Sequence, residues 1–424
     1  MTTRRELLTT LGGLALTAQL AARAGALHAA SKDRAPDALA TDEDFWAEVQ
    51  RAFPVDRTVI NLNNGGVSPA PQVVMESLHR YLDTSNLAPA WSMWRVLEPQ
   101  IEAVRARLAG HFGCDPEELA ITRNASESLE ILLSGYPLVA GDEVLTTTHD
   151  YPRMLTTLDQ RARREGIVVR KVPVPSPPKR WEELAELIVS SLSERTKLVH
   201  MSHIVNITGQ IFPVRAVVRA CRERGVSVVV DGAHAFAQFP FTRDELDCDF
   251  YGTSLHKWLH APIGTGFLYV RRARIREIWP LMAAPPELDD NIRKFEEIGT
   301  HPAANHHAIA DALTFLEGIG LPRKAARLRY LRARWEDRLR GRAGVTLRTD
   351  PVQSCAIANV HLAGRDPGRL ADWFWDKHRI LVTPIGHPEC PGLRITPSIY
   401  TTLGEIDRFS AAMEQALADP SVGV

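Results

Sequence analysis

The chain has 424 residues, 45% of them hydrophobic and 24% charged, the balance of a globular protein with room for two or three domains. Fifty Lys and Arg against 51 Asp and Glu leave a net charge of −1, without the basic excess of a dedicated nucleic-acid binder. The five cysteines, Cys114, Cys221, Cys248, Cys355 and Cys390, form no CxxC pair, so neither a disulfide scaffold nor structural zinc is expected.

Residues 1–30 differ from the rest. Arg4-Arg5 precede a mildly apolar stretch from Leu7 to Leu27, and Ala22-Arg23-Ala24 or Ala24-Gly25-Ala26 offer small residues for cleavage. This is the layout of an export signal, and the paired arginines resemble the twin-arginine type, which carries folded proteins. Gln19 and Arg23 interrupt the stretch, so no stable membrane span is expected. Periplasmic residence and contact with twin-arginine export machinery follow as expectations.

From Asp42 the chain becomes periodic. Phe45, Trp46, Val49 and Phe53 mark one face of a short helix capped by Thr41 or Asp42. A short strand at 59–62 ends in the turn Asn63-Asn64-Gly65-Gly66, and a helix spans 97–112. Strand-like and helix-like segments then alternate: strands at 143–147, 168–172, 198–202 and 226–230, helices at 153–164, 181–193 and 214–224. Continuous apolar strands with helices between them predict a mostly parallel sheet covered on both faces. Helices at 305–317 and 323–340 follow, the second densely basic and read as a solvated face. The remainder reads as a small α+β domain, with strands at 356–361, 380–383 and 393–395 and helices at 366–378 and from 403. The expected division is an export signal at 1–30, an arm and helix at 31–58, a large domain at 59–302 and a small domain at 303–424.

In open α/β sheets ligands lie beyond the carboxyl ends of the strands, and three features fall there. Asp231 directly follows the run Val228-Val229-Val230 and opens Gly232-Ala233-His234. Lys257 follows the hydroxyl-rich turn Gly252-Thr253-Ser254 among Leu255, Trp258 and Leu259. The polar turn Thr122-Arg123-Asn124-Ala125-Ser126 opens a helix whose free N–H groups suit an anion.

Together these segments resemble the class V aminotransferase family of pyridoxal-phosphate (PLP) enzymes, which includes cysteine desulfurases and isopenicillin N epimerases. The resemblance covers about residues 59–410 and rests most on Asp-Gly-Ala-His followed by Ser-Leu-His-Lys. It implies an α/β PLP-dependent transferase fold of type I, with a large domain of mostly parallel sheet plus a smaller α+β C-terminal domain. It further implies Lys257 as the Schiff-base lysine, Asp231 beside the pyridine nitrogen and His234 near the cofactor's phenolic oxygen. Ser254, His256, Asn124 and Ala125 would hold the phosphate, Tyr151 (or His149) would stack on the ring, and Asn206 would line the pocket. Gly299-Thr300 resembles a segment that reaches the phosphate of a partner subunit, which implies a homodimer. Arg394 resembles the clamp for a substrate carboxylate, with Asn64 as a further substrate contact. No metal ligand set is implied.

These residue types suit the chemistry. A carboxylate keeps the pyridine nitrogen protonated. A desolvated lysine becomes a nucleophile and a base near neutral pH. A guanidinium grips a carboxylate with two parallel hydrogen bonds. The turn Asn61 to Pro69, with Thr-Arg-Asn-Ala and Asp-Tyr-Pro, is most similar to the epimerase branch, so transamination or epimerisation at Cα of an amino acid is the leading expectation. Desulfurase-like or selenocysteine lyase-like β-elimination stands second. Cys390 lies only four residues before Arg394, closer than the family's catalytic cysteine, although His387 and Arg394 could activate it. An exported PLP-binding protein without turnover is the third reading.

Overall fold

A computed structural model describes residues 25–424. Arg4-Arg5 and most of the expected export signal therefore lie outside the described residues. Among the described residues no helix is long and apolar enough to cross a membrane.

The strands in chain order are β1 Ile60–Asn61, β2 Leu119–Thr122, β3 Glu143–Thr147, β4 Val168–Val172, β5 Thr196–Ser202, β6 Ser227–Asp231, β7 Phe250–Ser254, β8 Gly266–Val270, β9 Val345–Leu347, β10 Ala358–Leu362, β11 Ile380–Leu381, β12 Thr383–Ile385 and β13 Gly392–Ile395. The main sheet runs β2-β8-β7-β6-β5-β3-β4. Its strands pair in parallel from β4 through β7, while β8 is antiparallel to both β7 and β2. Strand β6 is buried at every position; β-branched Val228–Val230 fit its pleat, and helices cover both faces. One apolar cluster on this sheet includes Val228, Val230 and Trp258, and another includes Val229, Leu129 and Phe250. A third holds the antiparallel sheet β12-β13-β10-β9 together with the closing helix Leu403–Ala418. The mostly parallel large sheet and the small α+β sheet are those expected.

Local signals explain several ends. Asp42 caps the helix Glu43–Arg51 by accepting from Phe45 N. The helix Glu98–Phe112 stops at Gly113, which takes the left-handed conformation with φ +80°. Asn124 caps the helix Ala125–Gly135, its Oδ1 accepting from Glu127 N at 2.9 Å.

Two elements cross the expected domain limits. Strand β1 pairs in parallel with β11, and Asn63 bridges Thr396, so the 60–64 segment is built into the C-terminal region. The helix Ala303–Ile319 is buried along most of its length and packs on the helices Gln72–Leu87 and Glu98–Phe112.

Two readings require correction. Gly252-Thr253-Ser254 is no turn but the end of β7, and its hydroxyls satisfy the sheet end: Thr253 Oγ1 donates to Gly232 O at 2.8 Å, and Ser254 Oγ accepts from Ala125 N at 2.9 Å. The basic helix, Leu321–Leu339, is not a solvated face, since Lys324, Arg327 and Arg332 are buried. Lys324 donates to Trp258 O, Arg327 pairs with Glu43 and Ala40 O, and Arg332 binds Ser354. Distant partners satisfy what the helix itself leaves unpaired.

Candidate active site

A cavity of about 160 Å³ opens at the carboxyl ends of β5, β6 and β7, lined by Asn124, Ala125, Ser126, Tyr151, Asn206, Asp231, His234, Ser254, His256 and Lys257 with Gly66, Ser202 and Ile204. The switch in sheet direction beside β7 gathers these residues from segments more than a hundred positions apart. Close backbone approach fixes one wall. A Cβ on Gly266 would meet Thr253 O at 2.6 Å and Asn124 Cα at 2.7 Å, so only glycine lets β8 lie against the cap of the helix Ala125–Gly135.

Lys257 Nζ lies 3.3 Å from His234 Nε2. Burial holds the His234 imidazole well below its ordinary pKa, with the Lys257, Arg394 and His256 charges acting the same way. The ring is therefore neutral, and if Nε2 accepts from Lys257 the proton sits on Nδ1, a buried atom with no partner among the described residues. Desolvation brings the Lys257 ammonium down to about 8; Asp231 opposes this and Arg394 assists it. Burial pushes the Asp231 carboxyl up, against the His200 charge, the Ala233 amide (2.9 Å from Oδ1) and Lys257. His256 is lowered by burial and by Lys257, with one ring nitrogen 3.2 Å from Thr265 O.

Arg394 stands outside the cavity lining. It is buried, and desolvation brings it down to about 10. Its Nη1 donates to Asn206 O at 3.2 Å, and its Nη2 to Asn63 Oδ1 at 2.8 Å and Thr383 Oγ1 at 3.2 Å, while Nε has no partner among the described residues. Asn206 Oδ1 is likewise buried and unpaired.

Nine of the expected residues thus line the cavity, and Arg394 flanks it. Asn64 does not: its side chain is consumed by Thr396 O at 2.9 Å, Asn61 O at 3.0 Å and the Tyr400 hydroxyl at 2.6 Å. Its neighbour Asn63 holds Arg394 instead, because adjacent residues of extended chain face opposite ways. Tyr151 lines the cavity, whereas His149 lies apart, 3.1 Å from Glu389. Gly299 and Thr300 are exposed and do not reach the cavity of their own chain. Asn63, Gly66 and Ser126 lie within the Asn-rich and Thr-Arg-Asn turns without further site signal, and Thr383 carried none in the sequence. Cys390 is buried, and burial pushes its thiol up to about 12, opposite to the activation that nearby His387 and Arg394 suggested.

A lysine and an aspartate at the ends of neighbouring strands of such a sheet define the type I class of PLP-dependent enzymes. The aminotransferase class-V family profile matches residues 60–409, and the chain belongs to that family of PLP enzymes. It is 31% identical over 388 residues to the isopenicillin N epimerase of Streptomyces clavuligerus, across 87% of this chain and 98% of the epimerase. It is 26% identical over 414 residues to probable cysteine desulfurase 2 of Mycobacterium leprae, across 87% of this chain and 96% of the relative. In structure it is similar to a cysteine desulfurase from Escherichia coli, with a TM-score of 0.76 and 21% identity over 88% of this chain and 98% of that one.

The residues present fit PLP. His234 Nδ1 and Asn206 Oδ1 are buried polar atoms with no partner among the described residues, as suits a pocket for a polar cofactor. Lys257 would carry the cofactor, Asp231 would face its ring nitrogen, and Ser254, His256 and the Asn124–Ser126 turn would receive its phosphate.

Proposed function

We propose that this protein acts at Cα of a small amino-acid substrate, by epimerisation or transamination. The observation that carries the reading is Lys257 in a buried cavity beside Asp231, its Nζ 3.3 Å from His234 Nε2, with desolvation bringing its ammonium down to about 8 and the Arg394 charge assisting. Bound PLP supplies the electron sink that stabilises negative charge at Cα. The protein's own residues do the rest. Arg394, oriented by Asn63, Thr383 and Asn206, grips the substrate carboxylate and fixes which Cα bond faces Lys257. Neutral Lys257 Nζ takes the Cα proton, and His234 Nε2, 3.3 Å away, orients the resulting ammonium without competing for its charge. Tyr151 lines the same cavity and is partly exposed.

The similarity to an epimerase across nearly its whole length favours this reading over β-elimination. A desulfurase-type nucleophile needs a thiolate, and Cys390 is a buried thiol with its pKa pushed up. The intact Asp231, Lys257 and Arg394 favour turnover over mere cofactor binding. Exposed Trp91, Trp94, Trp279 and Met282 support a homodimer in which Gly299-Thr300 serves the partner's phosphate. The Arg4-Arg5 segment supports export to the periplasm of the folded, cofactor-loaded enzyme.

The test is an amino-acid panel scored for keto acid, inverted stereochemistry and sulfide. Lys257-dependent keto acid or inverted product is expected. Sulfide as the sole Lys257-dependent product would replace the reading with a lyase.

A further inference from the structure

A second cluster of reactive side chains lies beside the cavity, between the two sheets. His149, on the turn after β3, meets His387, Glu389 and Cys390 on the loop joining β12 and β13. Cys390 Sγ is 3.6 Å from His149 Nε2 and 3.5 Å from His387 Nδ1. Glu389 Oε2 is 3.1 Å from the same His149 Nε2. The nitrogen and sulfur atoms of the two histidines and the cysteine all lie within 4.8 Å of one another.

These separations can be compared with a metal polyhedron. Tetrahedral zinc, with Zn–S of about 2.3 Å and Zn–N of about 2.0–2.1 Å, sets S···N edges of roughly 3.6 Å and N···O edges of roughly 3.3 Å. The two S···N edges and the one N···O edge match within about 0.2 Å, the scale of ordinary side-chain adjustment. His149, His387 and Cys390 form the close set, and the Glu389 carboxylate, held by Thr148 Oγ1 at 2.8 Å, has to swing in to complete it. A Cys-His-Glu nucleophile relay does not match, because its carboxylate must bind the ring nitrogen remote from sulfur. Here Glu389 and Cys390 converge on one nitrogen of His149.

The supports are also in place. His387 Nε2 is 3.0 Å from Thr148 O. Donating there makes Nδ1 the acceptor, which takes the Glu389 amide at 3.2 Å and lies 3.5 Å from Cys390 Sγ, so a bound metal would take that lone pair over from the amide. The turn carrying His149 is pinned by Asp150, which accepts from Thr146, Thr147 and Ser202 at 2.7–2.9 Å. The opposite loop is held by Arg348 Nε donating to Pro391 O at 3.2 Å. His149 and Cys390 are buried. A divalent ion with one thiolate and one carboxylate forms a neutral unit, which a buried site tolerates.

We propose that His149, His387, Glu389 and Cys390 form a structural zinc site that ties the turn leading to Tyr151 to the strand bearing Arg394. Binding replaces the Cys390 thiol proton, which leaves to solvent, and turns Glu389 from His149 to the metal. The absence of CxxC spacing in the sequence excludes only local zinc motifs, and these ligands come from positions 240 residues apart.

The proposal is tested on the full-length holoenzyme, purified without chelators and dialysed against zinc-free buffer, by metal analysis and zinc K-edge absorption. One zinc per chain is expected, with one sulfur at about 2.3 Å and three nitrogen or oxygen neighbours at about 2.0–2.1 Å. Cys390→Ser should lose the sulfur neighbour and His387→Ala should lose the metal, both with PLP content unchanged; Lys257→Ala should keep the zinc. Zinc removed by dialysis, zinc without a sulfur neighbour, or stoichiometric zinc retained in both variants would overturn it. None of these readouts depends on the reaction catalysed.

Discussion

At the scale of single residues the account rests on charge placed where water is scarce. Replacing Lys257 by Ala should lower kcat/KM by at least about 10²-fold and abolish the visible absorption of the holoenzyme, read by kinetics and spectrophotometry. Arg394→Gln keeps a polar side chain but loses the charge and the fork; it should raise KM for the amino acid about 10–100-fold, the equivalent of ~1.5–3 kcal/mol for a charge-assisted pair. Cofactor uptake offers a pH test. The Lys257 amine must be neutral to bind an aldehyde, and its pKa lies near about 8 through desolvation. The rate at which stripped protein takes up PLP should therefore rise from pH 6 through 8 and level off above it.

Lys324 gives the sign for stability. Desolvation lowers it from 10.5 to about 7, so between pH 7 and 10.5 the unfolded chain binds more protons and stability rises with pH. Below pH 7 the folded protein carries the full cost of a buried ammonium. Lys324→Met should thus be more favourable relative to wild type at pH 6 than at pH 9, by several kcal/mol in denaturant titrations. A difference independent of pH would show that the amine is hydrated.

At the scale of elements, legibility in the sequence followed burial pattern. Strands β3, β5 and β6 and the helices between them announced themselves because both faces are covered and most positions are buried, while edge strand β4, largely exposed, showed itself through its β-branched Val168, Val169 and Val172. Strands β7 and β8 did not. Phe250-Tyr251-Gly252-Thr253-Ser254 is fully buried yet rich in small and hydroxyl residues, whose polarity is satisfied only by β6 and the helix Ala125–Gly135. The basic helix misled for a related reason: Glu43 and Ser354, which pair its arginines, are remote in sequence. Asn63 and Asn64 show the limit within a site, where the motif located the turn and the direction of each side chain decided which residue serves it. The close packing at the end of β8 is open to test. Gly266→Ala forces backbone apart at Thr253 and Asn124, and should cost about 1–3 kcal/mol in unfolding experiments and weaken PLP retention.

At the scale of the whole molecule, lysine, aspartate and cavity come from the large sheet, while Arg394 comes from the small one. Substrate capture is therefore coupled to how the two parts are held together. The 60–64 segment that pairs with β11 and meets Thr396 is one tie. The proposed export of a loaded enzyme belongs to this scale, since PLP is retained only by a folded pocket. Replacing Arg4-Arg5 by Lys-Lys should trap holoenzyme in the cytoplasm of the producing cell, read by fractionation; unchanged distribution would remove the twin-arginine route.

The central claim is proton removal at Cα by Lys257. The direct measurement is nuclear magnetic resonance of an amino-acid panel incubated with holoenzyme in deuterium oxide. The account predicts deuterium at Cα of at least one substrate, with inverted configuration or keto acid appearing alongside, and none with Lys257→Ala. A Cα that stays protonated across the panel, or exchange that survives in Lys257→Ala, would contradict it.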